Sequence, residues 1–326
     1  MERTLNPILA ELLVSPKMTD LCFNRFDEIY FDRGNGFEKL PLTNLIFNSE
    51  TEYRNFVLEE ISHSGKVWDA KLPFLDTVFF GTHRAHIAFP PLSQNGISLS
   101  LRKLPQRTKL TPHQAQRKAA ERWTESAVGF AMLVEAIEKK ESIIFAGATG
   151  SGKTTLLNDL VSFIPAQERI ITLEDTAELC PQHEHWLSLL SRTANADGFG
   201  EVKLRDLVRQ TLRMKPDRIL VGECRGDEVI DLLQALNTGH RGTLSTLHAN
   251  SAKEAIKRLE LLAMIAARGT IPSTLMKELI ANGIQKIAYL HERKIETVIQ
   301  IEGFERDLIF SRPVYSSNST AIPING

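Results

Sequence analysis

The sequence predicts an α/β fold with a mostly parallel sheet, preceded by a smaller α+β domain. Three observations predict it. Apolar strand-like runs alternate with helical segments from Ser142 onward. A glycine-rich turn joins the first of those strands to the first of those helices. The chain of 326 residues also exceeds what one hydrophobic core commonly serves.

The opening part, residues 1–103, carries the α+β signature. Leu5 to Val14 has the spacing of an amphipathic helix, and Asp20–Phe23 and Glu28–Asp32 read as strands before turn chemistry at Gly34-Asn-Gly36. Glu50 to His63 is helical through Phe56, Val57 and Ile61, and His86–Phe89 and Ile97–Leu101 are strands separated by Pro90, Pro91 and Asn95-Gly96. No residue there is catalytic by type, so the domain is expected to be a platform. Residues 104–112 turn polar with two prolines and no period, which places a linker.

The second domain, residues 113–310, begins with a helical stretch from His113 to Lys140. Strands follow at Ser142–Ala146, Arg169–Leu173, Arg218–Val221 and Gly242–Thr246, with helices at Thr154–Phe163, Leu204–Met214 and Glu228–Leu236 between them. Such near-continuous apolar strands suit a parallel sheet covered on both faces. Ser251 and Glu254 form a capping box for a helix running to Arg268, Pro272–Asn282 is a further helix, and Lys286–Leu290 with Lys294–Ile301 reads as a hairpin. Residues 311–326, rich in Ser, Asn and Pro, are expected to be a mobile tail.

Composition narrows the class. A charged fraction of 24% and a hydrophobic fraction of 42% are those of an ordinary folded protein. The net charge of -1 argues against a sequence-independent grip on nucleic acid. No apolar run approaches the ~18 residues of a membrane span, and Met1–Leu5 lacks the layout of an export signal. Cys22, Cys180 and Cys224 are odd in number and far apart, which suits a reducing cytoplasm. The sequon at Asn318 is then read as chance.

The chemistry lies at four strand ends. Gly147, Gly152, Lys153 and Thr154 have the spacing of a phosphate-binding loop, which also takes in Ala148, Thr149, Gly150, Ser151 and Thr155. Glycines let the backbone wrap phosphates, while amide N–H groups and the helix N-terminus offer positive partial charge to them. Lys153 is expected to reach the β and γ phosphates of ATP, and the Thr154 hydroxyl to ligate Mg²⁺. Arg218–Glu223 is an apolar strand ending in an acid, suited to the metal side of the site, with Glu223 acting directly or through a metal-bound water. Ile170–Asp175 is a second such strand, and its Glu174 suits a base that orients the attacking water. Each acid has the alternative of capping a helix or facing solvent. A lone histidine is usually a hydrogen-bonded structural residue, but His248 follows a third strand and precedes the capped helix, a place from which it can sense the γ-phosphate.

These four segments, Gly147–Thr155, Ile170–Leu179, Arg218–Arg225 and Gly242–Ser251, together resemble the secretion superfamily of hexameric ATPases, with its Walker A, Asp, Walker B and His boxes in order. The resemblance implies a RecA-like P-loop domain behind a PAS-like N-terminal domain. It implies a homo-hexamer that is cytoplasmic, peripheral at the inner membrane and engaged with a membrane platform protein of a pilus or secretion system. It makes Glu174 the base, Glu223 the Mg²⁺-side acid and His248 the sensor. It also makes Arg102 and Arg225 candidates for phosphate contact, against the alternative of surface ion pairs. The chain has no Cys-x-x-Cys, unlike the zinc-bearing type II and extension motors, and looks closer to the type IV secretion and tight-adherence branch. Cys180, His183 and His185 do not make a convincing metal site. The expected function is a motor coupling ATP hydrolysis to domain movement. Rivals are a DNA-conjugation motor, a pilus-retraction motor and a nucleotide-gated scaffold with little turnover.

Overall fold

Among the described residues, six short strands and two α-helices build the first third of the chain in the computed structural model. The chain divides into two units, Met1–Gln106 with Asn195–Phe199, and Arg107–Ala194 with Gly200–Gly326. The structure describes residues 5–104 except 42, 44, 70 and 72, then 110–194 and 198–317. Most of the expected linker, and the expected tail from the Asn318 sequon onward, lie outside the described residues.

The first unit runs α1 (Pro7–Val14), β1 (Asp20–Arg25), β2 (Glu28–Asp32), β3 (Phe37–Lys39), α2 (Glu50–His63), β4 (Phe74–Phe79), β5 (His83–Ala88) and β6 (Ser98–Lys103). Its strands form one antiparallel sheet in the order β3-β2-β1-β6-β5-β4. Alternate residues of the inner strands are buried, namely Leu21 and Phe23, Ala85 and Ile87, Leu99 and Leu101. Tyr53, Phe56, Val57 and Ile61 of α2 join Leu9, Leu12 and Leu13 of α1 in one core with them. Strand β4 was not anticipated. It lies at the sheet edge, Phe74 at its start is exposed, and only its last residues are buried in alternation.

The second unit opens with α3 (Pro112–Arg122) and α4 (Ala127–Glu138), separated by a 3-10 turn at Thr124–Ser126. Thus the single helix expected over 113–140 is two. Trp123 is the reason: its indole donates to Asp159 Oδ2 at 2.8 Å, and the Thr124 hydroxyl closes α3 on the Glu121 carbonyl at 2.8 Å. Pro112, expected in the linker, is the first residue of α3, behind a capping box of Thr111 and Gln114.

From there the order is β7 (Ile143–Gly147), α5 (Lys153–Val161), β8 (Ile170–Glu174), β9 (Trp186–Leu190), α6 (Leu204–Thr211), β10 (Arg218–Val221), α7 (Glu228–Asn237), β11 (Leu244–Leu247), α8 (Ala252–Ala267), α9 (Ser273–Gly283), β12 (Lys286–His291), β13 (Lys294–Glu305) and β14 (Leu308–Ser316). Eight strands form one sheet in the order β14-β13-β12-β7-β11-β10-β8-β9. The six from β12 to β9 are parallel, and the last two pair antiparallel. Residues 311–316 belong to β14, which corrects the tail expected there. An edge strand tolerates its Pro313, because that position needs no second ladder bond.

The central strands are apolar on both faces because both are covered. Ile144, Ala146, Ile171, Leu173, Ile219 and Val221 pack into a core with α6, α7, α8 and α9. Their neighbours Ile143, Phe145, Ile170 and Leu220 point the other way, into a core with Phe130 and Leu133 of α4 and Leu156, Leu157 and Leu160 of α5. Among the described residues no helix is long and apolar enough to cross a membrane.

Candidate functional site

Strand order decides which side chains meet. β7, β11, β10 and β8 are neighbours and parallel, so the loops after all four leave the same edge of the sheet. Those loops carry Gly147–Thr155, His248, Glu223 and Glu174.

The glycine loop turns tightly out of β7. A Cβ at Gly147 would stand 2.5 Å from both the Leu290 carbonyl and the Ser151 hydroxyl, so no other residue fits. Gly152 sits at φ +97°, where side chains are strained, and directs the chain into α5. Lys153 is buried, its Nζ donating to the carbonyls of Gly147 at 2.9 Å and Ala148 at 2.7 Å. Burial lowers the Lys153 pKa, against the opposing pull of the Glu223 and Glu178 carboxylates. Ser151 Oγ is buried without a hydrogen-bond partner among the described residues. Ala148, Thr149, Gly150 and Thr155 are exposed, and Thr154 is half-buried.

Glu174 ends β8 and is 3% exposed. Its Oε1 accepts from the backbone N–H groups of Glu178 at 3.0 Å and Leu179 at 2.8 Å, while Oε2 is buried with no partner. Gly222 leaves room for it: a Cβ there would come within 2.9 Å of Glu174 Cγ. Burial pushes the Glu174 carboxyl up to about 7, and the two amides oppose that rise. A carboxylate fixed at one oxygen, unpartnered at the other and titrating near neutrality has the properties of a general base.

This shift has a sign that stability can test. Glu174 is raised in the folded chain from the ordinary 4.5 to about 7. Between those two values the unfolded chain releases the proton first, so the residue's contribution to stability falls as pH rises and levels off above about 7. Glu174→Gln removes that loss. It is expected to match the wild type in denaturant at pH 4.5 and to exceed it at pH 8 by about 3 kcal/mol. Equal denaturation midpoints at pH 8 would contradict the burial assigned to this carboxyl.

Glu223 follows β10 by two residues, and its Oε1 lies 3.3 Å from Nε2 of His248 at the end of β11. Both are partly exposed. Arg225 pairs with Asp175, whose other oxygen accepts from the Ser191 hydroxyl at 2.5 Å. Arg102 lies on β6 in the first unit, where its Nε donates to Asp20 on β1 at 2.8 Å. The ion-pair alternative therefore describes both arginines in this structure. His183, from the Cys-His-His group, has Nε2 at 3.1 Å from the Pro165 carbonyl, and among the described residues no cluster suits a metal ion.

Sequence reasoning missed two contributors. Thr246 donates its hydroxyl to the Gly222 carbonyl at 2.7 Å, tying β11 to the turn that carries Glu223. Gly222 itself is required by the bulk of Glu174. Neither residue type signals its role without the strand order.

The profile of the Type II/IV secretion system protein family matches residues 8–299. The chain belongs to that family. It is an ATPase of the secretion and pilus motor kind. A putative conjugal transfer protein of Mycobacterium tuberculosis is 35% identical over 289 residues, covering 87% of this chain and 79% of that protein. The type IV secretion system protein VirB11 of Brucella suis is 30% identical over 311 residues, covering 87% and 83%. The pilus retraction motor PilT with bound ADP superposes with a TM-score of 0.59 at 20% identity, covering 88% of this chain and 78% of that one, a likeness of fold.

Proposed function

We propose that this ATPase works as a homo-hexameric ring on the cytoplasmic face of the inner membrane. There it turns ATP hydrolysis into movement of its PAS-like first unit against its RecA-like second, acting on a platform protein of a pilus or secretion system. The observation that carries the reading is Glu174, buried, half-satisfied and raised to about 7 at a strand tip separated by two intervening strands from the one that leads into the glycine loop.

The residues present fit a nucleoside triphosphate with Mg²⁺. The loop has a cradle that a Cβ at Gly147 would fill and, among the described residues, a buried Ser151 hydroxyl lacking a partner and a Lys153 ammonium satisfied only by loop carbonyls. Phosphate oxygens would take Lys153 over from those carbonyls, and the amides of residues 147–155 would line the cradle. Thr154 and Glu223 would hold Mg²⁺, which supplies charge neutralisation at the phosphates. Glu174 accepts the proton of the attacking water, because its free Oε2 has no other demand on it. His248 shares the Glu223 carboxylate, so a change at one is transmitted to the other. For Arg102 or Arg225 to act on phosphate, its pair with Asp20 or Asp175 must first open.

The name of the mycobacterial relative favours one second reading, a motor for DNA conjugation. A net charge of -1 provides little general attraction to DNA, so strong salt-sensitive DNA binding by the pure protein would favour that reading. The ring is tested by sedimentation with ATP and Mg²⁺. Glu174→Gln, which holds unhydrolysed nucleotide, is expected to sediment as six copies. Full turnover by a species that stays monomeric would contradict the ring.

A further inference from the structure

Glu228 has no part in the chemistry described so far, yet it is a buried acid three residues from Arg225 and five from Glu223. It opens α7, and its carboxylate turns back toward the preceding loop. Its Oε1 accepts from the backbone N–H of Arg225 at 2.7 Å and of Gly226 at 2.8 Å. The same loop is held elsewhere by backbone donors. Gly222 N–H donates to the Leu173 carbonyl of β8 at 2.9 Å, and Cys224 N–H to the Thr246 carbonyl of β11 at 2.8 Å. The loop therefore leaves β10 tied to both neighbouring strands, and Glu228 is what closes its far end. Among the described residues no main-chain carbonyl replaces it there.

Gly226 reports how close that closure is. A Cβ on Gly226 would stand 2.9 Å from Glu228 Oε2, so the acid packs over the bare α-carbon. Adding a methyl group would move the carboxylate, which is the flexible end of a side chain, while leaving the Glu228 residue in place. A push on Oε2 turns the whole carboxylate, so the acceptor Oε1, itself 4.0 Å from that methyl position, is shifted without being deleted.

From these contacts we propose that Glu228 is a positioning residue: its Oε1 fixes the 222–226 loop so that Glu223 and Arg225 stand at the nucleotide edge. The role needs an acceptor oxygen and not a negative charge. It rests on the assignment of Glu223 and Glu174 above. Displacing a working group by about 1 Å costs roughly 100-fold in rate when the bound ground state is little affected. The glycine loop is untouched by Glu228, so affinity for ATP without Mg²⁺ should survive, whereas Glu223 belongs to the metal side of the site.

The test measures kcat per nucleotide-bound site, alongside the Kd for ATP in the absence of Mg²⁺, in Glu228→Ala, Glu228→Gln, Gly226→Ala and Glu174→Gln. Glu228→Ala is expected to lose about 100-fold in kcat with Kd unchanged. Gly226→Ala is expected to follow it, and Glu228→Gln, which keeps an acceptor at Oε1, to recover most of the rate. Counting only nucleotide-bound sites removes any loss of folded protein from the comparison. If Glu228→Ala does not fold, the contrast between Gly226→Ala and Glu228→Gln carries the test. A wild-type kcat in Glu228→Ala or Gly226→Ala overturns the proposal, as does a Glu228→Gln variant no faster than Glu228→Ala. A wild-type rate in Glu174→Gln overturns instead the site assignment beneath it, so the two failures are told apart.

Discussion

Lys153→Ala is expected to lower ATP turnover by about 100-fold or more, the usual loss when a preorganised donor to developing charge is removed. Lys153 is the buried cation of the glycine loop, and its present acceptors, the carbonyls of Gly147 and Ala148, belong to the loop itself. Such carbonyls hold the ammonium in place but compete weakly with phosphate oxygens, which carry full charge. Burial already lowers the Lys153 pKa, so an anionic ligand would restore what the fold disfavours. The substitution should therefore weaken nucleotide binding as well as slow the chemical step. Phosphate release at saturating ATP measures the second effect, and titration with a fluorescent ATP analogue the first. Unchanged hydrolysis would remove the loop from the mechanism.

Glu174→Gln is expected to separate these effects. Glutamine keeps the oxygen that accepts from Glu178 and Leu179, so the loop after β8 should hold its shape. It cannot take a proton, so kcat should fall by about 10²–10⁴ while ATP binding persists. The wild-type rate should rise with pH and level off above about 7, because only the ionised Glu174 carboxylate is active. The variant should lose that inflection. A wild-type rate in Glu174→Gln, or an inflection that survives in it, would dismiss this residue as the base. The same variant is the best bait for a membrane partner, since it holds the nucleotide-bound state longest.

The parts of the fold that could be read from sequence are those where pattern and burial agree. Ile143–Gly147, Ile170–Glu174 and Arg218–Val221 are buried along their whole length, so their apolar runs had only one meaning. Lys153 and Thr154 announced themselves by spacing, and the sheet order brought Glu174, Glu223 and His248 to the same edge. Edge strands were harder. β9 has an irregular burial pattern because it lies at the sheet edge, and β14 hides behind Pro313 and the Ser residues that resemble a tail. The break at Trp123 was invisible because its cause, Asp159, lies 36 residues away. Glu228 escaped notice for a similar reason: an acid at a helix start usually serves the helix, and only the contacts show it serving the loop before it.

Hydrogen exchange with and without a non-hydrolysable ATP analogue and Mg²⁺ tests the central claim most directly, that one nucleotide pocket is formed jointly by the glycine loop and three strand tips. Protection is expected to rise together in residues 147–155, 174–179, 222–226 and 248–251. Protection confined to 147–155, with the other three segments unmoved, would contradict it.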